Sequence, residues 1–139
     1  MSNQLAVLFP GIGYHIDKPL LYYSAKLARA RGYDLLAVQY PALPTGLRGH
    51  AEKIEQAVQT ALSAAEEQLT AIDWTASDRV FFLSKSIGTA IAARYAVQHN
   101  IHPRQAYYTP IEQAQPYLDP TGIAFHCTAD PWADTETST

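Results

Sequence analysis

The chain has 139 residues, 47% of them hydrophobic, with a formal net charge of −3 and a pI near 5.9. That length makes a single domain with enough apolar material for a core. Mild acidity without a basic run excludes the electrostatic footprint of nucleic-acid binding and of docking on an anionic membrane surface.

The N-terminal Met1-Ser2-Asn3-Gln4 lacks the basic region of a secretory signal. No apolar run reaches the roughly 20 residues of a membrane span. The lone cysteine, Cys127, has no internal disulfide partner and reads as a small buried hydrophobe. The expected compartment is the cytoplasm.

Residues 5–9 form a short apolar run, which predicts a buried strand. Pro10-Gly11-Ile12-Gly13-Tyr14-His15 follows it, and its two glycines let the backbone approach a ligand closely. A dinucleotide fingerprint would need a third glycine at Ile16, so that reading is weak. Asp17 suits an N-cap and Pro19 a first helical turn. Leu20, Tyr23, Leu27 and Ala30 then recur at spacings of three and four, which predicts an inward helix face ending at Gly32. Residues 35–40 read as a second strand, and residues 41–46 as a loop rich in breakers.

From about Gly49 a long helix is expected. Ile54, Ala57, Val58, Ala61, Leu62, Ala65, Leu69 and Ile72 make one apolar stripe. Lys53, Glu55, Gln56, Gln59, Glu66 and Glu67 cover the other face as a solvated surface. After a return loop over 73–78 comes an unbroken apolar run, Val80-Phe81-Phe82-Leu83, suited to a strand covered on both sides. It runs through Ser84-Lys85-Ser86-Ile87-Gly88 into an Ala-rich helix reaching about Gln98. A fourth strand is expected over 105–108, a brief helix or irregular segment over 111–118, and a fifth strand over 123–128. Residues 1–132 make the domain, and the polar tail over 133–139 should fray.

Strands alternating with helices predict an α/β fold: a doubly wound, mostly parallel five-stranded sheet with helices on both faces. The expected spatial order is second, first, third, fourth, fifth. Ligands bind where such an order switches direction, between the loops after the first and third strands. Those loops carry Gly11 and Ser86.

Ser84-Lys85-Ser86-Ile87-Gly88 resembles the nucleophile elbow of the α/β-hydrolases, G-x-S-x-G, with Ser84 where the family has its first glycine. Taken by itself the pentapeptide equally suits a serine that only N-caps a helix. The resemblance implies Ser86 as nucleophile, with oxyanion donors from Ile87 and from the Gly11-Ile12-Gly13 loop. It implies Asp130, just past the fifth strand, as the acid that orients a histidine; its alternative is an ordinary turn carboxylate before Pro131. Lys85 is expected to point away from the nucleophile as a surface lysine.

The family's histidine comes after the acid. None of His15, His50, His99, His102 and His126 follows Asp130. The resemblance therefore implies a core lacking its last strand and helix, on the order of 30 residues, and a chain whose catalysis is impaired. No cofactor is implied, and no histidine pair has metal-ligand spacing. The expected substrates are small esters, thioesters or lactones, as in the small esterase and dienelactone-hydrolase branch. The sheet edge left open is a site of possible self-association. Two other readings stay in play: a non-catalytic binding module of the same fold, and a flavodoxin-like or nucleotide-binding sheet.

Overall fold

The computed structural model describes residues 4–11, 19–41 and 50–125. Its strands are β1 (Gln4–Phe9), β2 (Asp34–Ala37), β3 (Arg79–Lys85), β4 (Arg104–Tyr108) and β5 (Ile123–Phe125). Its helices are α1 (Pro19–Ala30), α2 (Ala51–Leu69) and α3 (Ile87–Gln98), with short 3-10 turns at Trp74–Ala76 and Glu112–Tyr117. The five strands form one sheet in the order β2-β1-β3-β4-β5, every neighbouring pair parallel. This is the order that the alternation of elements predicts. The central β1–β3 register pairs Phe9 with Ser84, so the chain leaves both strands side by side.

Among the described residues, the two faces of the sheet are covered unequally. Val7, Phe9 and Phe82 meet α2 and α3 in the larger core, with Val58, Ala61, Leu69, Ile91 and Tyr95 fully or almost fully buried. Aromatic rings lock that side: Phe9 lies 4.9 Å from Phe82, and Trp74 packs edge-on to Phe82 at 5.6 Å and to Tyr95 at 5.8 Å. α3 is buried all round over residues 87–96, its Gly, Thr and Ala positions letting neighbours close in between Ile87, Ile91 and Tyr95. On the opposite face Leu8, Leu83 and Ala106 form a smaller cluster against Ala25 of α1, with Phe81 and Tyr108 beside it.

Three expectations are corrected. The helix face predicted from Tyr23, Leu27 and Ala30 points outward, with Tyr23 67% and Leu27 56% exposed. The inward face carries Ser24, Ala25 and Ala28, whose small side chains let α1 approach the sheet; Ser24 Oγ lies 2.8 Å from the Tyr108 hydroxyl. Second, β2 stops at Ala37 rather than Tyr40. Val38 still donates to Leu8 O, but β1 ends one residue later at Phe9, and Pro10 has no N–H to extend the ladder. Third, the charged side of α2 is not only solvated. Glu55 makes a bidentate pair with Arg94 of α3 at 2.7 Å, and Glu66 lies 3.0 Å from His99.

The described part of the fifth strand is exposed along its whole length. Residues 126–128, expected to extend it, lie outside the described residues, as does the expected tail. Among the described residues no helix is long and apolar enough to cross a membrane.

Candidate active site

The carboxyl ends of the strands converge on one edge of the sheet. Phe9, Lys85 and Tyr108 are the last residues of β1, β3 and β4. The chain turns from β3 into α3 with a single residue between them, Ser86. Its dihedrals are φ 54° and ψ −123°, outside the helical, extended and left-handed basins that non-glycine residues occupy. So sharp a turn cannot be made in an ordinary conformation. The Ser86 side chain makes no capping bond to α3, so its place at the helix start does not consist of that role.

The surroundings hold this backbone in place. Ser86 N–H donates to Tyr108 O at 2.9 Å. Ser86 O accepts from the Thr89 hydroxyl at 2.6 Å and from Thr89 N–H at 2.9 Å. Thr89 Oγ1 in turn accepts the Ile111 N–H at 3.3 Å. Helix geometry leaves the Ile87 N–H at the first turn of α3 without an acceptor inside the helix. Ile87 is buried against the core, and its backbone sits where the helix dipole favours negative charge.

Gly88 fixes how closely α3 approaches β1. A Cβ at Gly88 would overlap Phe9 O and stand 2.7 Å from both Phe9 C and Pro10 O. This contact brings the first turn of α3 against the start of the Gly11 loop. Gly11 is itself buried. Ile12 and Gly13, expected as oxyanion donors, lie outside the described residues. So do Asp130, His15 and His126. Ser84, at the motif's first glycine, is fully buried, and its hydroxyl reaches Ala106 O at 3.4 Å.

Lys85 departs from expectation. It is 1% exposed rather than a surface residue, and its Nζ donates to Thr109 Oγ1 at 3.2 Å. Strand alternation puts its side chain on the face of Phe81 and Leu83, and there its head meets Thr109 just past the end of β4. Thr109 is also buried and has a positive φ of 53°. Sequence reasoning passed over both Thr89 and Thr109. No motif marks them, and only the neighbouring strand ends reveal their partners.

Among the described histidines, His50 precedes α2, while His99 and His102 lie at the end of α3 and just before β4. The latter two belong to the opposite edge of the sheet from Ser86. His99 stacks on Tyr95 with ring centroids 4.1 Å apart and is engaged by Glu66. A cleft of about 340 Å³ lined by Ile101, Gln105, Tyr117 and Leu118 also opens at that far edge. Among the described residues no cluster of His, Cys, Asp and Glu could hold a metal ion.

The titration shifts among the described residues have local causes. The bidentate hydrogen bonds of Arg94 hold the Glu55 carboxyl below its usual value, and those bonds raise Arg94. Burial pushes the hydroxyls of Tyr40, Tyr95 and Tyr107 upward.

With this geometry in place, comparison with known proteins bears on the fold. One solved structure, a protein from Xanthomonas campestris pv. campestris assigned provisionally to the hydrolases of the alpha/beta superfamily, superposes with a TM-score of 0.51. The match covers 99% of this chain and 80% of that one at 20% sequence identity. The chain has the α/β-hydrolase fold. No protein-family model matches it, and no curated protein does.

Proposed function

We propose that this chain is a serine hydrolase of the α/β type, acting on small esters, thioesters or lactones in the cytoplasm, with Ser86 as nucleophile. The observation that carries the reading is the Ser86 backbone, held at φ 54° and ψ −123° between β3 and an α3 whose first turn packs on the Phe9 and Pro10 carbonyls. A residue is kept in such a conformation only where the surrounding structure over-determines it, and such residues cluster at active sites.

In the proposed reaction Ser86 Oγ attacks the substrate carbonyl carbon and yields its proton to a base. The carbonyl oxygen becomes an oxyanion, received by the Ile87 N–H and by one N–H of the Gly11-Ile12-Gly13 loop. One such donor contributes roughly 10²–10³-fold in rate. Collapse of the intermediate expels the alcohol or thiol with a proton and leaves an acyl-serine, which water hydrolyses. Asp130 is proposed as the acid that orients a histidine base. No histidine follows Asp130 in these 139 residues.

Labelling with a fluorophosphonate probe tests the proposal. Wild type should take the label on the peptide containing Ser86, read by mass spectrometry, and Ser86→Ala should not. A folded wild type without label at Ser86, or equal labelling of the alanine variant, would sink it.

A further inference from the structure

Two strained residues stand at adjacent strand ends. Ser86 follows β3 with φ 54°, and Thr109 follows β4 with φ 53°. The chain around them is joined twice: along the backbone by Ser86 N–H to Tyr108 O at 2.9 Å, and through side chains by Lys85 Nζ to Thr109 Oγ1 at 3.2 Å. On the side of α3 the link is Thr89, which donates its hydroxyl to Ser86 O and accepts the Ile111 N–H. Both backbone polar groups of Ser86 are thus tied, directly or through one hydroxyl, to residues 108–111. Thr109 is anchored in turn, its N–H donating to Phe125 O at 2.7 Å.

We infer that Lys85 and Thr109 are positioning residues of the elbow: their buried side-chain bond fixes the end of β4 against the end of β3 and so holds Ser86 in its strained turn. Neither residue is the choice that stability alone would make. A β-branched side chain is disfavoured at positive φ, where glycine or asparagine costs less. A lysine head costs more to bury than the apolar tip of a methionine of similar reach. Structures retain such locally unfavourable choices where a site requires them. The kinetic part of this inference rests on the reading of Ser86 as nucleophile; the structural part does not.

The experiment compares Lys85→Met, Thr109→Val and Thr109→Ser with wild type by two measurements. The first is NMR amide exchange at Ser86 and Ile111, referenced to Val7 and Leu8 in the core of β1. Lys85→Met and Thr109→Val should speed exchange at Ser86 and Ile111 by about tenfold, the equilibrium ratio that one ordinary hydrogen bond sustains. Thr109→Ser, which keeps the hydroxyl, should stay near wild type. The second is the rate of fluorophosphonate labelling, in which the maximal rate should fall in the same two variants with the half-saturating probe concentration unchanged.

Unchanged exchange at both amides overturns the inference, as does a rise shared equally with Val7 and Leu8. Faster local exchange with undiminished labelling overturns the positioning role. A wild type that takes no label while exchange responds locally sinks the hydrolase reading and leaves the coupling of the two strand ends standing.

Discussion

Gly88 and Phe9 are in backbone contact: there is no room for even a single methyl between the first turn of α3 and the carbonyl that ends β1. The second glycine of the elbow is thus a packing requirement set by a neighbouring strand. Its absent side chain lets the first turn of α3 lie directly on the Phe9 and Pro10 carbonyls.

Gly88→Ala should therefore be far more damaging than an alanine in a helix normally is. The added carbon meets main-chain atoms, which cannot turn aside as a flexible side chain would. A loss of about 3 kcal/mol or more is expected, at the upper end of overpacking effects. Urea denaturation beside the wild type checks it; a loss below about 1 kcal/mol would mean that α3 can slide away from β1.

The strain at Ser86 gives a second test. Glycine adopts positive φ without cost, whereas alanine retains the penalty of the native turn. Ser86→Gly should be about 1 kcal/mol more stable than Ser86→Ala, reversing the usual advantage of alanine at a helix start. Paired thermal melts measure the difference directly. Equal melting temperatures would imply that the turn relaxes once the hydroxyl is gone.

The Glu55–Arg94 pair sets a pH dependence. Its hydrogen bonds lower the Glu55 pKa in the folded state, so the stabilisation is present above the unfolded value of about 4.3 and is lost as pH falls through the lower folded value. Glu55→Gln should cost roughly 1 kcal/mol at neutral pH, because solvent at the Glu55 side screens the pair. The wild-type and variant stability curves should converge in acid. Curves that stay parallel down through the carboxylate range would exclude this linkage.

Self-association is expected through β5. Ile123 is 58% and Phe125 43% exposed on the strand that ends the sheet among the described residues. Parallel strands with apolar side chains are ordinarily covered on both faces, and edges left open pair with other chains. Sedimentation should show concentration-dependent oligomers that Ile123→Lys with Phe125→Asp suppresses. A wild type that remains monomeric at millimolar concentration would contradict it.

The sheet order was legible because each apolar run is short and bounded by breakers, and because right-handed crossovers leave few ways to arrange five such runs. The turn at Ser86 was legible as a motif, although the pentapeptide could not separate a strained turn from a plain helix cap. The buried state of Lys85 was not legible. Alternation assigns a residue to a face of the sheet, but whether that face is covered at Lys85 depends on residues far away in sequence, Thr109 among them. The orientation of α1 failed for a related reason. Spacings of three and four fit Ser24, Ala25 and Ala28 as well as Tyr23 and Leu27, and close approach to the sheet selected the smaller set.

Ser84 has a consequence for how such turns are recognised in other sequences. The residues of this chain with positive φ other than glycine are Ser86, Asn100 and Thr109 among the described residues, so Ser84 is not one of them. The first position of the elbow here demands smallness, and a hydroxymethyl group is accommodated against Ala106 O. The second position, Gly88, admits no carbon at all. A search pattern that weighs the two glycines equally is stricter than the packing requires at one and should accept alanine or serine there, while allowing no substitute at the other.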